Sequence, residues 1–141
     1  MVITKIEHPS CIETMERTIE FTGKSIKDGQ WVYGYHYRDG DIWYIQTFLE
    51  SVEIDPFTLR EFTKKRDIHN QKIFEDDIVR FKVDGTLALV IWKDYGWCTQ
   101  CNKKDFIFGS DICKISNGIS YEVIGNIIDN PDLWLMENKD E

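Results

Sequence analysis

The sequence predicts an all-β protein, and three observations predict it. Apolar residues recur with period two rather than 3.6. Two Asp-Gly pairs, Asp39-Gly40 and Asp84-Gly85, each separate alternating runs, which is a hairpin signature. No long amphipathic helix occurs. The expected architecture is small and β-barrel-like. An SH3-like hairpin in the C-terminal half packs with an aromatic-rich N-terminal hairpin, and a short C-terminal helix follows. The SH3 likeness is an analogy of fold and implies no function.

Residues 1–15 read as a polar leader, 16–74 as an N-terminal β region, and 75–141 as a barrel-like region with its helix. Arg17 to Phe21 alternates, with Ile19 and Phe21 on one face. Gly23 and Asp28-Gly29 punctuate the chain. Trp31 to Arg38 and Ile42 to Phe48 then form the first hairpin. A type I′ turn centred on Asp39-Gly40 sets Tyr37 opposite Ile42 and Tyr35 opposite Tyr44. One face collects Trp31, Tyr33, Tyr35, Tyr37, Ile42, Tyr44, Gln46 and Phe48. The other carries Val32, Gly34, His36, Trp43 and Ile45.

Asp55-Pro56 has the pattern of an N-cap followed by proline at the first helical position, so a short turn over Phe57-Thr58-Leu59 is expected. Asp77 to Val83 and Thr86 to Trp92 form the second hairpin, with Phe81 opposite Ala88 and Val79 opposite Val90. Weaker strand signals lie at Trp97–Thr99, Phe106–Phe108 and Glu122–Ile128. Asp129-Asn130-Pro131-Asp132 caps a short helix carrying Leu133, Trp134 and Met136.

The chain has 141 residues, 42% of them hydrophobic and 13% aromatic. That composition excludes a disordered chain. With 17 basic and 25 acidic residues the net charge is −8, which argues against a protein devoted to gripping a polyphosphate backbone. No 18-residue apolar run and no apolar N-terminal segment occur, so the expectation is a cytoplasmic protein with reduced thiols and no membrane partner.

Five features bear on chemistry. Cys98 and Cys101 have knuckle spacing, with Cys113 as a candidate third ligand and Cys11 or His69 as a fourth, but a structural zinc site usually has two such pairs and the second is missing, so no metal or other cofactor is expected. Arg60, Lys64, Lys65, Arg66 and Lys72 form the only basic cluster, a candidate phosphate grip or simply a solvated loop. Trp31, Tyr33 and Tyr35 head the aromatic face. That face is either the core side of the hairpin or a surface for stacking and self-association. Glu75-Asp76-Asp77 reads as turn capping at a strand entrance rather than a metal site. His8, His36 and His69 have no nucleophile–base context, and no catalytic motif occurs, so no enzyme is expected.

Longer stretches add a resemblance. Phe21-Thr22-Gly23-Lys24 with Asp28-Gly29-Gln30-Trp31-Val32-Tyr33-Gly34-Tyr35, then Lys72-Ile73-Phe74-Glu75-Asp76-Asp77-Ile78-Val79, and finally Tyr121-Glu122-Val123-Ile124-Gly125-Asn126-Ile127 with Asn130-Pro131-Asp132-Leu133, together resemble the YopX-like family of small phage and prophage proteins. The likeness spans residues 16–135. It implies an all-β fold and a phage origin, and brings no catalytic residue. The family pattern usually has glycine where this chain has Lys64, Gln71 and Asp76. Glycine there suits positive φ, so the departures bear on turn geometry rather than on membership.

The functional expectation is a phage or prophage accessory protein. It acts as a non-enzymatic interaction module on a host or phage protein, with homo-oligomerisation open to it. A nucleic-acid-binding role through the Arg60–Lys72 cluster ranks second.

Overall fold

In the computed structural model, residues 19–93, 96–101 and 121–134 are described. Ten strands form two antiparallel sheets. Sheet one holds β1 (Phe21–Lys24), β2 (Trp31–Asp39), β3 (Ile42–Gln46), β4 (Ser51–Glu53), β5 (Arg60–Arg66) and β6 (Lys72–Phe74), in the order β4-β3-β2-β1-β5-β6. Sheet two holds β7 (Asp77–Phe81), β8 (Leu87–Lys93), β9 (Gly96–Cys101) and β10 (Tyr121–Asn126), in the order β10-β7-β8-β9. The all-β class stands, but both sheets are open and no barrel closes among the described residues. The expected strand at Phe106–Phe108 lies outside them, as does Met136. The short C-terminal helix is a single turn over 131–134.

Both hairpins form, and both registers sit two residues away from the expected ones. In the first, Asp39 pairs with Ile42 and Tyr37 with Tyr44, so the loop is Gly40-Asp41. Gly40 has φ 65 while Asp41 stays at negative φ. Glycine at the first central position is the type II′ requirement, not the type I′ one. In the second, Val79 pairs with Ala88 and Arg80 with Leu87. The connection is a longer loop, closed by Gly85 N–H donating to Phe81 O at 2.9 Å, with Gly85 at φ 77. A shift of two residues preserves which face each side chain occupies.

The cap at Asp55 holds. Its carboxylate accepts from Phe57 N–H at 3.0 Å, opening a 3-10 turn over Pro56–Thr58. Asp77 caps as well, accepting from Phe74 N–H at 2.7 Å. Positive φ occurs at Lys64 (73), Asn70 (65) and Asp76 (69). Two of the three positions where glycine is usual in the resembled family therefore keep left-handed backbone without it. At the third the turn uses Asn70 instead of Gln71.

The core lies mainly under sheet two: Ile73, Val79, Phe81, Ala88, Val90, Trp97 and Tyr121. Ile45 and Ile54 are buried on sheet one, where Gly23 leaves room for the Ile54 side chain. His36 belongs to that side, with its ring 4.1 Å from Phe21 and stacked 5.9 Å from Trp43. The two sheets are tied by Asp67. Its carboxylate closes the β5–β6 turn by accepting from His69 and Gln71 N–H, and also accepts from Val123 N–H at 2.8 Å.

Candidate functional site

The tyrosine-bearing face of the first hairpin is not the core side, a correction to the simpler sequence reading. Ile45, on the opposite face, is 0% exposed, whereas Tyr33, Tyr35 and Tyr37 are 47%, 59% and 41% exposed. The cause lies in the neighbouring strands. Tyr35 pairs with Gln46, and Gln46 with Ser51, while Tyr44 pairs with Glu53. Ile45 on the other face pairs with Val52. The alternation Ser51-Val52-Glu53-Ile54 carries the signal that sequence reasoning missed: polar residues ride with the tyrosines and apolar ones with Ile45. The open face is ordered. Tyr37 and Tyr44 stack at 5.1 Å, and the Tyr37 hydroxyl and Ser51 Oγ lie 2.7 Å apart.

Toward β1, β5 and β6 the same face is covered, and there it builds a cleft. Trp31, Tyr33, Arg60 and Phe74 from sheet one face Asp77, the Val123–Asn126 segment and Asp129 across about 830 Å³. Register accounts for the grouping. Thr22 pairs with both Tyr33 and Arg60, and Phe62 pairs with Phe74, which puts these residues on one side of the sheet. Trp31 is fixed by its indole N–H, which donates to Asp129 at 2.8 Å, and Lys24 pairs with Asp129 at 2.5 Å.

Arg60 forms the floor and is 5% exposed. Nη1 donates to Asp77 at 2.6 Å and to Glu75 O at 3.0 Å. The guanidinium lies 4.4 Å from the Trp31 ring and 5.7 Å from Phe74. Burial pushes the Asp77 carboxyl up to about 6 despite the opposing pull of Arg60 and the Phe74 amide. Burial also raises Glu75 and Asp76. At Asp129 burial acts upward, but hydrogen bonds from Lys24, Trp31 and Asn126 outweigh it and leave the group below its usual range.

The expected basic cluster is divided: Arg60, Arg66 and Lys72 line the cleft, while Lys64 and Lys65 do not. Arg60 is an internal strut between the sheets rather than a phosphate grip. Lys72 pairs with Glu20 at 2.6 Å, and Arg66 donates to Asn70 O at 3.0 Å. Lys64 stands exposed in the β5 irregularity, next to half-buried Lys65. Cys98 and Cys101 both lie in extended β9, while Cys11 and Cys113 fall outside the described residues. Among the described residues no group of three or more His, Cys, Asp or Glu could hold a metal. No helix among them is long and apolar enough to cross a membrane.

Comparison with known proteins adds the lineage. The YopX protein family matches residues 9–135. The chain belongs to the YopX family. Its fold is similar to that of protein EF1440 from Enterococcus faecalis, known from a crystal structure. The TM-score is 0.51 at 19% identity, covering 83% of this chain and 98% of that one. That likeness supports the fold alone. Among curated proteins none matches this YopX-family chain.

Proposed function

We propose that this YopX-family protein is a non-enzymatic binding module of phage or prophage type, which docks a basic surface of a host or phage protein onto the open tyrosine half of sheet one. The observation that carries this reading is the exposed, ordered pair Tyr35 and Tyr37 beside Ile42, with Tyr33 where the open face meets the cleft. Tyrosine supplies large contact area with few rotatable bonds, and rigid aromatic rows are what interface centres use.

Charge selects the partner. From residue 31 to 55, Arg38 is the one formal cation against Asp39, Asp41, Glu50, Glu53 and Asp55. A second copy docking on this face would bring like charges together, while a lysine- or arginine-rich surface would be steered onto it. Tyrosine rings also accept cations over their faces. Nucleic acid fits less well, because Arg60 and Lys72 are engaged with Asp77 and Glu20.

The test is affinity capture from the native host with nuclease treatment, repeated with the paired variant Tyr35→Ser/Tyr37→Ser. The expected result is one stoichiometric protein that survives nuclease, weakens as salt rises and is lost with the variant. Capture that nuclease abolishes, or that the variant leaves unchanged, would overturn the reading.

A further inference from the structure

The geometry points to a second site: the cleft between the sheets binds an uncharged nitrogen heterocycle of the nucleobase or nucleoside kind, one that offers a carbonyl oxygen or an unprotonated ring nitrogen. This does not rest on the tyrosine-face reading, because Tyr35 and Tyr37 do not line the cleft.

Size and lining come first. About 830 Å³ falls within the range of small-molecule sites, and the walls combine flat aromatic surface with a few convergent polar groups. Tyr33 and Phe74 lie 5.6 Å apart at 55°, with the Arg60 guanidinium over Phe74 and Trp31. Aromatic rings and guanidinium planes are the surfaces on which bases stack. The opposite wall is irregular. The β10 register passes from Val123 opposite Val79 to Gly125 opposite Ile78, so Ile124 faces no partner in the ladder. Bulges of this kind recur beside binding sites, where they interrupt pairing and re-aim the strand.

Charge then excludes ionic ligands. Three cations in the lining, Arg60, Arg66 and Lys72, face three carboxylates, Glu20, Asp77 and Asp129. Each carboxylate already has a cation, at 2.5–2.6 Å. A phosphate or carboxylate entering the cleft would meet these three carboxylates, while Lys24, Arg60 and Lys72 are already paired with them and Arg66 donates to Asn70 O. A simple sugar lacks the flat π face that the aromatic and guanidinium walls would stack against.

The decisive feature is a donor without an acceptor. Arg60 Nε is the one buried side-chain nitrogen or oxygen among the described residues that has no hydrogen-bond partner. An unmet buried donor is unfavourable, and a neutral carbonyl oxygen or ring nitrogen would satisfy it without confronting Asp77. The Trp31 ring lies over the guanidinium and helps close Nε off from water. The heterocycle reaches it by tilting that ring, which is held by its hydrogen bond to Asp129 and by the Lys24 and Arg60 cations over its face. Trp31 thus becomes the reporter of binding.

The experiment is titration of the full chain with uridine and adenosine, read by calorimetry and tryptophan emission, with uridine monophosphate and glucose as comparison probes. At least one nucleoside should bind saturably below 10 mM. Its monophosphate should bind at least threefold more weakly, and glucose should not bind. Tyr33→Ala should weaken nucleoside binding about tenfold, and Trp31→Phe should remove the emission change. Tyr35→Ser should leave nucleoside affinity within twofold. No saturable binding by either nucleoside, a monophosphate that binds as well or better, or an affinity indifferent to Tyr33→Ala would each overturn the proposal.

Discussion

Strand β2 occupies two environments along one side. At Trp31 the side chain is held by Asp129, overlain by Arg60 and walled by sheet two. Four residues on, Tyr35 is 59% exposed. Alternation and aromatic character are the same at both ends, so neither decides burial. What differs is the partner beside each residue. The Trp31 end adjoins β1 and β5, which carry Thr22 and Arg60 into the inter-sheet junction. The Tyr35 end adjoins Gln46 and Ser51, which match water. An aromatic stripe reports capacity to bury area, and the next strand decides whether that capacity is used.

The comparison can be broken most severely at the junction. Asp77→Ala leaves the Arg60 charge buried without its partner and should lower unfolding free energy by about 3–5 kcal/mol in denaturant titration. A loss below 1 kcal/mol would mean the strut is dispensable. Gly34→Ala comes next, at about 3 kcal/mol, because a Cβ there would collide with the Gln46 backbone carbonyl. That change attacks the open end through its backbone, leaving the tyrosines untouched.

Acid sharpens the contrast. Asp77 is pushed up to about 6 in the folded protein from 3.8, so between those values the folded state holds a proton that the unfolded chain has released. Its contribution to stability is full below about pH 4 and is lost as pH rises through about 6, by up to about 3 kcal/mol. The stability difference between the parent and Asp77→Asn should therefore shrink over that window. A difference that grows with pH would show that attraction to Arg60 outweighs burial.

Smaller effects follow at the margins. Lys64→Gly should stabilise by up to about 1 kcal/mol, because φ 73 strains any side chain, and a thermal melt would detect it. Tyr35→Ser should change stability by no more than about 0.5 kcal/mol, as expected for a surface position. A larger loss would place Tyr35 in the packing, contrary to its exposure.

Much of this fold is legible in the residues. Asp39-Gly40 and Asp84-Gly85 mark both hairpins, and Asp55-Pro56 marks the short turn between β4 and β5. The registers are not legible, because one Asp-Gly pair serves a type I′ turn, a type II′ turn or a longer loop, and only the surrounding strands choose. The site is less legible still. Trp31 and Arg60 stand out in sequence for their residue type, but their meeting depends on how β1 bridges β2 and β5. Asp77 reads as a cap, which it is, and nothing local announces that it also neutralises Arg60 from another sheet. Asp129 reads as a helix cap, yet its carboxylate serves Trp31 and Lys24.

That bond from Trp31 to Asp129 spans 98 positions of chain. Every strand of sheet one has left the ribosome by residue 74, so pairing among those strands can begin while the second half is still being made. The cleft cannot. Its far wall and the anchor of its tryptophan arrive only with residues 123–129, after every strand of sheet one. A chain cut short before Asp129 would retain every strand of the first sheet but lack the clasp on Trp31. Completion of this pocket thus waits on synthesis of β10 and the turn that carries Asp129.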